Sequence, residues 1–179
     1  MVNITKPKLT QLQNDILRVL FKKNGSVLNQ RQLAIQLNVT QPAIKKALPV
    51  LEKIKSINVK KDQRLSITLN TECHKVMQLK RIDNLKQIYE YNLADFLEKE
   101  YAGATIILFG SYSRGEDTWN SDIDIAVIGR KEKNIELGIY EKNLERKINI
   151  NFYKSFSDIH KHLKENLANG FVLAGGFEL

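Results

Sequence analysis

The chain has 179 residues, 42% hydrophobic and 27% charged, enough for one ordinary domain or two small ones with their own cores. Its single cysteine, Cys73, excludes an internal disulfide and, with no clustered histidines, a zinc site; no apolar run reaches the roughly 18 residues that a membrane span needs. The net charge of +8 is unevenly spread, because residues 1–80 hold 15 Lys and Arg against 4 Asp and Glu, whereas residues 81–179 hold 13 against 16. Only the first half is expected to meet a polyanion, and an N-terminus without a signal-peptide core predicts a cytoplasmic protein.

Apolar residues at helical spacing over 9–21 predict a first helix, stopped by Asn24-Gly25. Asn29 is the expected N-cap of a second helix. After the turn Asn38-Val39-Thr40 a third runs over 41–53, with Thr40 as its cap and Pro42 in its first turn, and Ala34 and Val39 are expected to be buried where the helices cross. Alternating segments at 57–60 and 65–69 predict two strands joined by the polar turn Lys61-Asp62-Gln63-Arg64. This order of helix, helix-turn-helix and hairpin resembles the winged-helix domains of prokaryotic transcription factors over about residues 8–70. The resemblance implies a third helix set in the major groove of double-stranded DNA, with Gln41, Lys45 and Lys46 near its start, and with Thr40, Lys60, Lys61 and Arg64 against phosphates. A solvated face on a module that only dimerises is the competing reading.

Residues 71–100 carry Val76, Leu79, Ile82, Leu85, Ile88, Tyr89, Leu93, Phe96 and Leu97 at three- and four-residue intervals, which predicts one long or broken helix. Its first part is a candidate homodimer contact, and its last part should pack on the following sheet. His74, His160 and His162 read as surface residues.

The segment TIILFGSYSRGEDTWNSDIDIAVI, residues 105–128, carries the chemistry. Side chains on a strand alternate faces, so Asp122 and Asp124 point together while Ile123 and Ile125 enter the core. Two carboxylates in one small space call for a counter-charge, and a hard divalent cation supplies it. Gly110 lets the backbone turn tightly against a ligand, the Ser111 hydroxyl and nearby N–H groups can donate to phosphate oxygens, and Arg114 adds a charged fork. Trp119 and Tyr112 flank the turn and either stack on a base or pack against the protein.

The pair GSYSRG and SDIDIAV resembles the signature of the DNA polymerase beta-like superfamily, especially its minimal nucleotidyltransferases, over about residues 82–179. The resemblance implies an α/β (α+β) protein in which the winged helix at 1–70 and a helical linker at 71–81 precede a mixed sheet flanked by helices. It also implies that Gly110, Ser111 and Arg114 bind an NTP, that Asp122 and Asp124 are the catalytic residues and hold Mg2+, and that a nucleoside monophosphate is moved to a nucleic acid or protein acceptor. Catalysing members carry a third carboxylate on a later strand. Here that segment reads KININF, which puts Asn149 and Asn151 at the third-carboxylate position, and an amide cannot act as a general base. Glu145 is assigned to the preceding helix. The alternative is therefore a DNA-binding regulator with a degenerate, nucleotide-sensing domain, or an antitoxin-like protein with a toxin-like protein partner. After Asn149 and Asn151, a helix over 156–167 and a short strand from Phe171 are expected.

Overall fold

The structure is a computed structural model that describes residues 8–61 and 65–176. The chain divides into two compact units, Met1–Val76 and Met77–Leu179.

The first unit opens with α1 (Gln11–Lys22), whose N-terminus is closed by a reciprocal bond pair between Thr10 and Gln13. The same device, with Asn29 and Gln32, starts α2 (Gln30–Gln36), and Thr40 caps α3 (Gln41–Lys53) by accepting from the Ala43 N–H. Each cap satisfies main-chain donors that the first helical turn leaves open, a contribution of about 1 kcal/mol. Ile16, Leu20, Leu33, Ile44 and Leu51 are fully or almost fully buried and hold the three helices together. Ala34 is buried as expected at the crossing, whereas Val39 is only half-buried, because the left-handed Asn38 turns the chain outward just before it. Strands β1 (Ile57–Lys61) and β2 (Leu65–Leu69) pair antiparallel, so Lys61 belongs to a strand and not to the turn. The unit thus has the winged-helix order; Arg64 lies outside the described residues.

The helix expected over 71–100 is broken. Helix α4 (His74–Glu90) ends at Glu90, and Asn92, at φ 57°, turns the chain into α5 (Leu93–Glu100). The remaining elements are β3 (Thr105–Phe109), α6 (Gly110–Arg114), β4 (Ile123–Ile128), α7 (Gly138–Leu144), β5 (Ile148–Tyr153), α8 (Lys161–Ala168) and β6 (Phe171–Ala174). The sheet order is β5-β4-β3-β6, with β4 and β5 parallel and the other pairs antiparallel, a mixed sheet. One face carries Ile106, Leu108, Ile123, Ile125 and Val127 against Ile88, Leu93, Leu97 and Leu144; the other carries Ile107, Phe109, Ala126 and Ile128 against Ile159 and Leu167. The last helix begins at Lys161 and not at Phe156, because residues 155–159 form a turn that sends Phe156 onto the second face. Glu145 is not inside a helix: it caps α7 in the left-handed region, at φ 55°.

Alternation in α4 misleads. Leu79, Ile82 and Tyr89 are 42%, 60% and 47% exposed, whereas Lys80, Asn84 and Gln87 are buried. The helix turns a polar face inward, and the reason lies in the loop that it meets.

Candidate active site

Two turns of chain meet at one end of the sheet. Strand β3 ends on Phe109, whose Cα partner across the ladder is Asp124, and the next residue, Gly110, takes φ 76° to enter α6. A Cβ built on Gly110 would lie 2.5 Å from Asp124 Oδ2. Only glycine therefore allows this backbone to rest against that carboxylate, in a conformation that other residues rarely adopt. Asp122 stands just ahead of β4 and Asp124 inside it, on the face opposite the fully buried Ile123 and Ile125.

Strand β5 decides between the two asparagines. Its parallel register pairs Asn149 with Asp124 and Asn151 with Ala126. Asn149 Nδ2 also donates to Asp122 Oδ2 at 3.1 Å. Asn149 is thus the residue beside the carboxylates, and Asn151 sits two places further along the sheet. The carboxylates, the glycine cradle that a Cβ would fill and the amide form an oxygen-rich cluster of a chemistry that suits a hard divalent cation. Among the described residues no group of three or more His, Cys, Asp or Glu side chains gathers, so phosphate and water oxygens must complete such a coordination sphere.

Helix α6 arranges its polar residues unequally. Ser113 is buried and its hydroxyl donates to Gly110 O at 2.9 Å, which braces the turn, whereas Ser111 is half-buried. Arg114 does not extend freely: its Nε donates to Glu116 Oε2 at 2.7 Å, and Nη1 lies 3.5 Å from Asn166 Oδ1. This exposed ion pair is worth little and can open for an anion. Of the two roles open to Tyr112, its 3% exposure leaves packing and not stacking. Burial, and then the nearby Asp117, pushes its phenol well above the ordinary tyrosine range, so it stays protonated.

The polar face of α4 grips this turn. Asn84 Nδ2 donates to Tyr112 O at 2.9 Å and to Asp117 Oδ1 at 2.7 Å, Arg81 Nε donates to Ser113 O at 2.9 Å, and Lys80 Nζ pairs with Asp117. Arg146 Nη2 approaches Asp117 from another side at 3.6 Å. Burial lowers the pKa of the Lys80 ammonium, and the Asp117 carboxylate works against that shift. Gly115, at φ 75°, admits the helix: a Cβ there would meet Met77 O at 2.7 Å and Arg81 N at 2.9 Å. Met77, Lys80, Arg81 and Asn84 share this face of α4 at i, i+3, i+4, i+7 spacing.

In the first unit, Gln41, Lys45 and Lys46 are exposed on α3, and Lys60 and Lys61 are exposed on β1. Lys45 and Lys61 line one groove of about 420 Å3 between α3 and the hairpin, together with Gln30 and Leu65. Lys60 opens on a different groove, beside Lys55 and Asn58, because neighbouring strand residues face opposite ways. The Thr40 side chain is occupied as a cap.

Residues 90–174 match the family model described as a nucleotidyltransferase domain. No curated protein is significantly similar to the chain. Among solved structures, the adhesin competence repressor AdcR from Streptococcus pyogenes is 23% identical, with 56% of this chain and 72% of that one covered at TM-score 0.42. A mutant of ZitR from Lactococcus lactis is 18% identical, with 55% and 66% covered at TM-score 0.41. The S. aureus MepR–DNA complex is 27% identical, with 51% and 81% covered at TM-score 0.37. No described helix is long and apolar enough to cross a membrane.

Proposed function

We propose that this protein binds a nucleoside triphosphate with magnesium and transfers the nucleoside monophosphate, slowly, to a hydroxyl acceptor on nucleic acid or protein. The match of residues 90–174 to a nucleotidyltransferase domain supports this reading. The observation that carries it is the approach of Gly110 to Asp124, which sets main-chain donors and a carboxylate side by side. In this reading Asp122 and Asp124 hold the cation, the Ser111 hydroxyl and the N–H groups of the turn donate to phosphate oxygens, and Arg114 leaves Glu116 to meet the triphosphate. Bound magnesium would neutralise charge on the phosphates as it develops. The acceptor oxygen attacks the α-phosphorus, the bond to pyrophosphate breaks, and the acceptor's proton passes to water. Asn149 cannot take the acceptor's proton. Joint replacement Asp122→Ala and Asp124→Ala is expected to abolish magnesium-dependent binding of a non-hydrolysable NTP measured by calorimetry; retained binding overturns the assignment.

The same amide favours a second reading, in which the domain senses nucleotide without turning it over. Labelled NTP, magnesium and cell extract separate the two, since only a transferase yields a labelled acceptor.

For the first unit we propose binding to double-stranded DNA. The excess of 15 basic over 4 acidic residues in 1–80 and the shared groove of Lys45 and Lys61 support it. Affinity should fall steeply with salt as counterions are released. Lys61→Ala in the full chain is expected to reduce the log–log salt slope by about one unit, near 0.9 for the phosphate that is no longer neutralised. If the wild type shows no duplex binding at low salt, the proposal fails.

A further inference from the structure

We propose that Trp119 is the stacking platform for the nucleobase of the bound NTP, an inference that rests on the nucleotide site proposed at Asp122 and Asp124. Trp119 is the only tryptophan in the chain and is 53% exposed, three residues before Asp122. It stands on a turn built to hold it still. The Ser121 N–H donates to Thr118 O at 3.1 Å, the Thr118 N–H donates to Ser121 Oγ at 2.9 Å, and Thr118 Oγ1 donates to Asn120 Oδ1 at 2.7 Å. Both ends of the turn are anchored. Asp117 on one side is locked by Lys80 and Asn84, and on the other side the Ile123 N–H donates to Lys147 O at 2.8 Å as β4 begins.

A braced turn leaves only the indole's own rotamers to be ordered when a flat ligand covers it. The triphosphate reading leaves the base without a partner, because the residues at the turn and the carboxylates address phosphate and cation only. Phe109 and Tyr112, the other aromatic residues of this segment, are buried, so the indole is the aromatic surface available there. Every base has a π-face, and stacking on an aromatic side chain is worth about 5- to 150-fold in affinity. Purines offer the larger face. The site should therefore take purine NTPs more tightly than pyrimidine NTPs, without hydrogen-bond discrimination between adenine and guanine by this residue.

The test uses the full chain with Mg2+ and three probes: a non-hydrolysable ATP analogue, its cytidine counterpart and inorganic triphosphate, which has no base. Since the protein has one tryptophan, indole fluorescence reports this residue alone. The ATP analogue is expected to quench it and inorganic triphosphate is not. Trp119→Ala should weaken the ATP analogue by about tenfold in calorimetry, within the range for one stacked base, and leave triphosphate affinity unchanged; Trp119→Phe should recover part of the loss. Equal binding of the ATP analogue by wild type and Trp119→Ala overturns the inference and leaves the nucleotide site intact. Equal loss for both ATP analogue and triphosphate also overturns it, since that marks a distorted turn. If the wild type binds neither probe, the nucleotide reading itself fails, and this inference falls with it.

Discussion

Asn149→Asp is expected to raise the rate of nucleotidyl transfer by about 100-fold or more. The amide of Asn149 reaches Asp122 at 3.1 Å and pairs with Asp124 across the ladder, so an aspartate there would stand where a base could meet the acceptor hydroxyl. General-base contributions of about 100- to 10,000-fold set the scale. A third carboxylate beside two others repels them and raises the need for cation, so the variant should also require more magnesium for half-maximal rate. Asn151→Asp is the control, because Asn151 pairs with Ala126, away from the carboxylates, and should not raise the rate. Transfer of α-labelled phosphate to an acceptor, measured for the three proteins side by side, decides the matter. Robust transfer by wild type, unchanged in Asn149→Ala, would show that two carboxylates suffice and would overturn the view of Asn149 as the reason for slow turnover.

Asp117→Asn is expected to be the most destabilising single substitution near the site. The carboxylate is 1% exposed and faces both Lys80 and Arg146, which are themselves buried. Asparagine keeps the shape and an acceptor for Asn84 but removes the charge. Breaking a buried pair in this way costs about 3–5 kcal/mol, because a cation is left in a low-dielectric setting. For a unit of about 100 residues each kcal/mol shifts Tm by about 4–8 °C, so the melting temperature should fall by at least about 10 °C. Lys80→Met in the Asp117→Asn background should recover part of the loss, since it removes one of the stranded charges. A Tm within about 2 °C of wild type for Asp117→Asn would overturn the view that this carboxylate compensates buried Lys80 and Arg146.

Much of the architecture was legible from local rules. Caps at Asn29 and Thr40 depend on residues three positions apart, and the helix periods and hairpin alternation depend on neighbours within a turn or a strand. The acidic pair was legible for the same reason: Asp122 and Asp124 share a face because strand geometry repeats every two residues, whatever surrounds the strand. The glycine before Ser111 also announced a tight turn on its own, and the structure gives it φ 76° against Asp124.

What the tertiary structure alone decided depends on partners distant in sequence. Which asparagine meets the carboxylates follows from the register of β5 on β4, a choice between two residues that local alternation treats alike. The inward face of α4 is polar because carbonyls and a carboxylate near residues 112–117 need donors, and no period within residues 74–90 encodes a need that arises some 30 residues later. The surroundings of Arg114 and Tyr112 were not legible for the same reason. One bends to a neighbouring glutamate and the other sinks into the core, while Trp119, with identical claims in the sequence, is left in water. Periodicity and motif spacing are properties of the chain acting on itself over a few residues. Burial, register and charge pairing are set by whichever segments the fold brings together, and here they determine which side chains remain free to meet a ligand.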